Sequence, residues 1–200
     1  MKLTSTHLWV LLAVIVLVGG PLAATTLLRP APVPAPAAPT DDRTIKELMA
    51  SMVDPAGDFL FESVQDIADD KGARQKAPST DAEWKQERDQ FQILADAPAL
   101  LTAPGRKAGR PGDVSKHPEI ENGPPQVQVL MEADRPGFVS HAKRLGDAAA
   151  EGLRAVDARD VKALSAALLS VDRACESCHL EFYYPNDKRA KQAAKEEGLL

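Results

Sequence analysis

The residues with the most chemical potential in this chain lie close together: Cys175-Glu176-Ser177-Cys178-His179. Two thiols three residues apart, followed at once by an imidazole, form the attachment signature of a c-type haem. Each thiol adds across one vinyl group on a porphyrin edge. Helix positions i and i+3 share a face, so both sulfurs reach the same edge, and His179 then offers its imidazole to the iron as proximal ligand. Cys175 and Cys178 are the only two cysteines present, which leaves no thiol for another task. A thioredoxin-like pair needs a strand-to-helix context that is not visible here. A zinc site needs further ligands where only scattered histidines exist. A disulfide across i and i+3 would close a tiny loop and constrain little. One covalently attached haem c is the expected cofactor.

A helix must carry that motif. Val161, Leu164, Leu168, Val171, Cys175, Cys178 and Phe182 follow alternating steps of three and four, the seam of a helix packed in a bundle. Asp157 or Asp160 caps its start. A lone helix cannot bury such a seam, so the preceding chain must supply partners. A first helix is expected from about Asp42, with Ile45, Leu48, Met49, Met52 and Val53 on one face. Asp54-Pro55 should interrupt it, because an internal proline removes a hydrogen bond. A second segment follows, with Ala56, Phe59, Leu60, Ser63, Val64 and Ile67 facing inward, and Gly72 and Pro78 lie in the loop beyond. Thr80 with Glu83 forms a capping box for a helix presenting Trp84, Arg88, Phe91, Leu94 and Ala95, closed by Pro98 and Pro104. Residues 102–136 are turn-rich, and a connection of that length is functional or mobile; Val127–Met131 is its one apolar patch. A further helix starts near Pro136 with Phe138, Ala142, Leu145, Ala149, Gly152 and Val156 as its seam. Its small residues (Ala142, Gly146, Ala149, Gly152) would admit either a flat macrocycle or a closely packed helix.

Ahead of these elements stands an appendage. Leu8 to Leu28 contains no charge and is long enough to cross a bilayer. Cleavage after Ala24 would put Leu22 at the −3 position, so an uncleaved anchor is favoured over a removed signal. Residues 1–28 thus read as signal or membrane anchor. Residues 29–40 form a Pro/Ala-rich linker, an extended spacer of roughly 30 Å at ~3.1 Å per residue. Residues 41–186 form the domain, and 187–200 a charged tail, read as a frayed helix or disorder. Of the whole composition, 44% is hydrophobic, 26% charged and only 4% aromatic. The formal charge of −5 argues against nucleic acid as a partner and suggests a basic docking face on a soluble partner. No nucleophile–base constellation or glycine-rich phosphate loop is present, so the protein is not expected to be an enzyme.

Four helices, the last bearing Cys175-x-x-Cys178-His179 near its end, resemble a class II c-type cytochrome, the cytochrome c-prime superfamily. Ile45-Lys46-Glu47-Leu48-Met49 in the first helix adds to the likeness, which covers roughly Arg43 to Tyr184. The resemblance implies an all-α, antiparallel four-helix bundle behind the N-terminal anchor and Pro-rich linker. It also implies that the first helix covers the haem face opposite His179. A methionine there gives a six-coordinate iron suited to electron transfer, whereas an apolar residue leaves a five-coordinate iron open to NO or CO. Met49, three residues after Lys46, is the candidate distal ligand, with Met52 the second. Met131 and His117 could reach the iron only by folding back, His141 reads as a surface residue, and His7 belongs to the leader. Phe182 and Tyr183 stand where the family often has Tyr and then Arg or Lys. The expected function is a mono-haem electron carrier in the periplasm, tethered to the inner membrane or free there if cleaved. Its expected partners are redox proteins of the periplasm or membrane and the haem-attachment machinery. Family members often form homodimers through the first two helices. The alternative is a five-coordinate, gas-binding haem protein.

Overall fold

The computed structural model describes residues 41–69 and 72–196. Within them the chain is mostly helical, with one small two-stranded sheet. Thr44 starts the first helix through a capping box. Its hydroxyl accepts from the Glu47 backbone N–H at 3.2 Å, and the Glu47 carboxylate accepts from the Thr44 backbone N–H at 2.7 Å. Helix α1 (Ile45–Leu48) runs into a π-turn (Met49–Val53) and on into α2 (Asp54–Ser63). The expected break at Asp54-Pro55 does not occur. The π-turn is wider than an α-turn, with the Asp54 N–H donating five residues back to the Met49 carbonyl. The helix therefore passes the proline, which sits where its missing N–H is tolerated.

Helix α2 stops at Ser63, and Val64 turns extended. Gln65–Asp69 (β1) and Gly72–Lys76 (β2) then pair antiparallel, from Gln65 opposite Lys76 to Asp69 opposite Gly72. Ile67, expected on a helical face, is a half-buried strand residue; 65–69 lack the apolar spacing that would dock another helical turn.

Helix α3 (Asp81–Leu101) opens on the predicted capping box, Thr80 with Glu83. It continues through Pro98 rather than ending there. The proline lies in the last turn, its carbonyl accepts from both the N–H and the hydroxyl of Thr102 at 3.0 and 2.7 Å, and its ring packs on Gly146. A Cβ at Gly146 would stand 2.9 Å from Pro98 Cγ. Glu87, not Arg88, belongs to the buried face. Glu87 is 2% exposed and accepts from the Ser63 hydroxyl at 3.0 Å, while Arg88 reaches outward to Asp157 at 3.3 Å.

The turn-rich stretch resolves into a loop, 102–123, and a helix, α4 (Pro124–Ala133), which buries Met131 in the core. The loop has a structural role. The carbonyls of Lys107 and Ala108 accept from the backbone N–H groups of Ile45 and Lys46 at 2.8 and 3.0 Å, two of the donors that any helix N-terminus leaves unpaired. Buried Arg106 fastens the loop further, donating to the carbonyls of Leu100 (2.8 Å), Asp41 (2.9 Å) and Arg43. Helix α5 (Arg135–Ala158), capped by Asp134, packs along both α3 and α6 (Val161–Cys178), and the α1–α2 stretch lies against α3 and α6. Asp160 is the cap of α6, accepting from the Ala163 N–H at 3.0 Å. A second π-turn (His179–Tyr183) and a basic helix, α7 (Lys188–Glu196), complete the described chain. The small residues of α5 mainly serve close packing: Gly152 meets the Phe91 ring and Gly146 meets Pro98.

Two outcomes are expected for stability. A Cβ at position 152 would stand 2.0 Å from Phe91 Cε1, whereas one at Gly57 meets nothing nearer than 3.6 Å. Gly152→Ala should therefore cost about 1–3 kcal/mol, and Gly57→Ala should gain about 0.4–1 kcal/mol, both read by chemical denaturation. Burial pushes the Glu87 carboxyl from its ordinary 4.5 up to about 7. The folded state thus holds this proton more tightly than the unfolded chain, and stability falls as pH rises from 4.5 through 7. Glu87→Gln should raise Tm by roughly 3–6 °C at mildly alkaline pH and change it little at mildly acidic pH.

Candidate functional site

The last turn of α6 brings the sequence motif against the core. Cys175 and Cys178 are half-buried and unpaired, and His179 comes next as the first residue of the second π-turn. All three line one cavity of about 170 Å³. Its remaining walls come from every other long helix: Met49, Val53 and Asp54 from the first stretch, Leu94 and Leu101 from α3, Phe138, His141 and Leu145 from α5. Both π-turns contribute, Met49 opening the first and His179 the second. Such turns widen a helix locally and recur at functional sites.

Met49 and Met52 separate here. Met49 lines the cavity with the motif, while Met52 packs against the core without lining it. Met131 is buried in the core and His117 is exposed on its loop, neither reaching the cavity. The anchor, the proline spacer and His7 lie outside the described residues. Among the described residues no helix is long and apolar enough to cross a membrane.

The expectation that His141 lies on the surface is overturned: it is 6% exposed. Its Nε2 lies 2.7 Å from Glu181 Oε2, and the Arg144 guanidinium donates to Nδ1. With Nδ1 accepting, the ring proton belongs on Nε2, which donates to the carboxylate. Phe182 stacks edge-on against both Phe138 and His141, at 5.4 and 5.7 Å between centroids. Nothing adjacent to His141 in sequence announces this burial, because the partners that enclose it stand about 40 residues downstream.

The loop and the aromatic residues hold the end of α6. Asn122 donates from its backbone to the Tyr183 carbonyl at 2.6 Å and from its side chain to the Phe182 carbonyl at 3.0 Å. His179 is flanked by the Tyr183 and Tyr184 rings at 5.6 and 5.7 Å, and the Tyr184 hydroxyl donates to Glu176.

The electrostatics keep the motif neutral. Burial pushes both thiols from an ordinary 9.0 up to about 12, with nearby carboxylates adding to Cys175 and the neighbouring thiol to Cys178. Burial lowers the His179 imidazole, opposed by Asp54 and Glu176, so it carries a free lone pair at neutral pH. Asp54 in turn is raised by lost solvation, with His179 pulling the other way.

As a donor set for a haem, these residues fit in kind: two thiols one helical turn apart, a neutral imidazole beside them, a thioether on another helix, and mostly apolar walls. In size the cavity is tight, below the roughly 300–1,000 Å³ of small-molecule pockets. Exposed Phe61 and Asp58 form its outer wall. Among the described residues no three His, Cys, Asp or Glu side chains converge to hold a bare metal ion.

Comparison with family models, curated proteins and solved structures finds no match to this chain.

The half-buried, protonated thiols make a direct prediction. With Cys175 and Cys178 unmodified, iodoacetamide at mildly alkaline pH should label the folded chain roughly a hundredfold or more slowly than the denatured chain, because only the thiolate reacts. Peptide mapping of the labelled cysteines reads the rates.

Proposed function

We propose that this chain is a mono-haem c-type cytochrome of the class II kind that carries single electrons. The Ile45–Ser63 stretch, α3, α5 and α6 would form its antiparallel four-helix bundle. The observation that carries the reading is that Cys175, Cys178, His179 and Met49, from the two ends of the domain sequence, line one apolar cavity. Cys175 and Cys178 would hold a haem c through thioether bonds, His179 would be its proximal ligand and Met49 its distal one. When bound, that group supplies one-electron exchange between ferric and ferrous iron.

The chain's own residues do the rest. The rings of Tyr183 and Tyr184 limit how His179 can turn. Val53, Leu94, Phe138 and Leu145 exclude water, which lowers the local dielectric and raises the cost of net charge near the iron. Met49 lies on a helix fixed at its N-terminus by Lys107 and Ala108, which would hold it in place as a ligand and keep reorganisation small. The uncharged span from Leu8 to Leu28 and the proline spacer support export and a tether at the outer face of the inner membrane, within reach of membrane or periplasmic redox proteins.

Co-expression with a haem-attachment system should give an intact mass raised by one tetrapyrrole, and Cys175→Ser/Cys178→Ser should lose it. A low-spin ferrous spectrum indifferent to carbon monoxide is expected, and Met49→Ala should convert it to a high-spin form that binds the gas. No added mass would overturn the haem assignment. A wild-type spectrum already high-spin and shifted by carbon monoxide would replace electron transfer with gas binding.

A further inference from the structure

Beside the cavity lies a second, larger space, an open groove of about 1170 Å³ bounded by α5, α6 and α7. His141 and Ala174 line both, so they form the wall between groove and cavity. The charge along the groove runs against that of the whole chain. Arg144 on α5, Arg173 on α6, and Lys191 and Lys195 on α7 line it, and among the described residues none of the four makes an ion pair with a carboxylate. Three acids also line it, but two are engaged: Asp147 is held by Lys143 at 2.5 Å and Glu181 by His141 at 2.7 Å. Asp147 alone of the three is ion-paired; Glu181 is hydrogen-bonded to the neutral His141 ring, and Glu151 has no cationic partner among the described residues. On a chain of formal charge −5, four cations outside any ion pair on three helices, against the two carboxylates of Glu151 and Glu181, leave a local positive field that attracts and orients an anionic partner.

The shape selects among anions. Lys191 and Lys195 are one helical turn apart, and Arg144 and Arg173 stand on two other helices, so the cations are distributed along the groove instead of converging on one point. That distribution suits a run of carboxylates on an extended segment better than a single phosphate. Leu180 and Pro185 add apolar contacts between the charges.

We propose that this groove docks an acidic segment of a partner protein. Docked there, the segment lies one side chain, His141 or Ala174, from the cavity that holds the Cys175/Cys178/His179 motif. That the partner exchanges electrons rests on the function proposed above; that the segment is acidic does not.

The test uses the full chain, with and without haem attachment, and a fluorescein-labelled polyglutamate peptide followed by fluorescence anisotropy. Binding is expected at low ionic strength and should weaken about tenfold or more at ~0.2 M salt, where exposed charges are screened beyond ~8 Å. Arg173→Glu/Lys191→Glu should weaken it at least about tenfold, with the helical circular dichroism unchanged. Lys85→Glu/Lys162→Glu, placed elsewhere on the surface, should leave it intact. If the first pair disturbs the fold, Lys191→Ala/Lys195→Ala on the outer helix gives the same reading. Equal loss in both charge-reversal pairs, or no loss in the groove variants, overturns the proposal. Full displacement of the peptide by inorganic phosphate at equal concentration overturns it too, since the groove would then be a small-anion site. Peptide binding by a chain that takes up no haem would uphold the docking surface while removing the cytochrome reading.

Discussion

The constraint that orders the rest of the structure is the burial of one helix end. Cys175, Cys178 and His179 are hydrophilic or reactive groups at the C-terminus of α6, a place where helices ordinarily fray. Here that end is enclosed. The first helical stretch, α3 and α5 wall it laterally, the Asn122 contacts pin the backbone beyond it, and the tyrosine rings flank the imidazole. Each enclosing element is itself fixed. The first stretch is held at its N-terminus by Lys107 and Ala108, and the loop carrying those carbonyls is fastened by Arg106. The loop between α3 and α4 thus acts on both the start of the first helix and the chain just beyond α6.

Much of this was legible in the residues. The capping box at Thr80, the choice of Asp157 or Asp160 as the cap of α6 and the apolar steps of α6 are local patterns, and local patterns survive into the fold; the box at Thr44 is equally local, but the first helix is expected from about Asp42. The failures share a cause. Pro55 and Pro98 read as stops because proline costs a hydrogen bond, but a π-turn absorbs the first and a position in the final turn disarms the second. Glu87 was hidden by its neighbour. A one-residue shift of the buried face exchanges Arg88 for Glu87, and the Ser63 hydroxyl from another helix helps make the exchange tolerable. His141 was hidden for a similar reason, since its enclosure depends on Arg144 one turn away and Glu181 forty residues on.

The two π-turns are related by position. One widens the first helix where Met49 enters the cavity, the other widens the chain where His179 does. Each amounts to one residue more than an α-helix needs at that point, which rotates the downstream segment relative to the upstream one. Irregularity and site coincide, as they do where local geometry answers to something other than helix propensity.

The state of the two sulfurs sets an order of assembly. Held protonated inside a closed set of helices, they are poor nucleophiles in the finished fold. In the proposed cytochrome, thioether formation at 175 and 178 would then belong to the nascent or partly open chain, before the first helix and α5 converge on α6. Under that proposal maturation would be a race between modification and collapse, and any change that speeds collapse without touching the motif would lower the yield of modified protein.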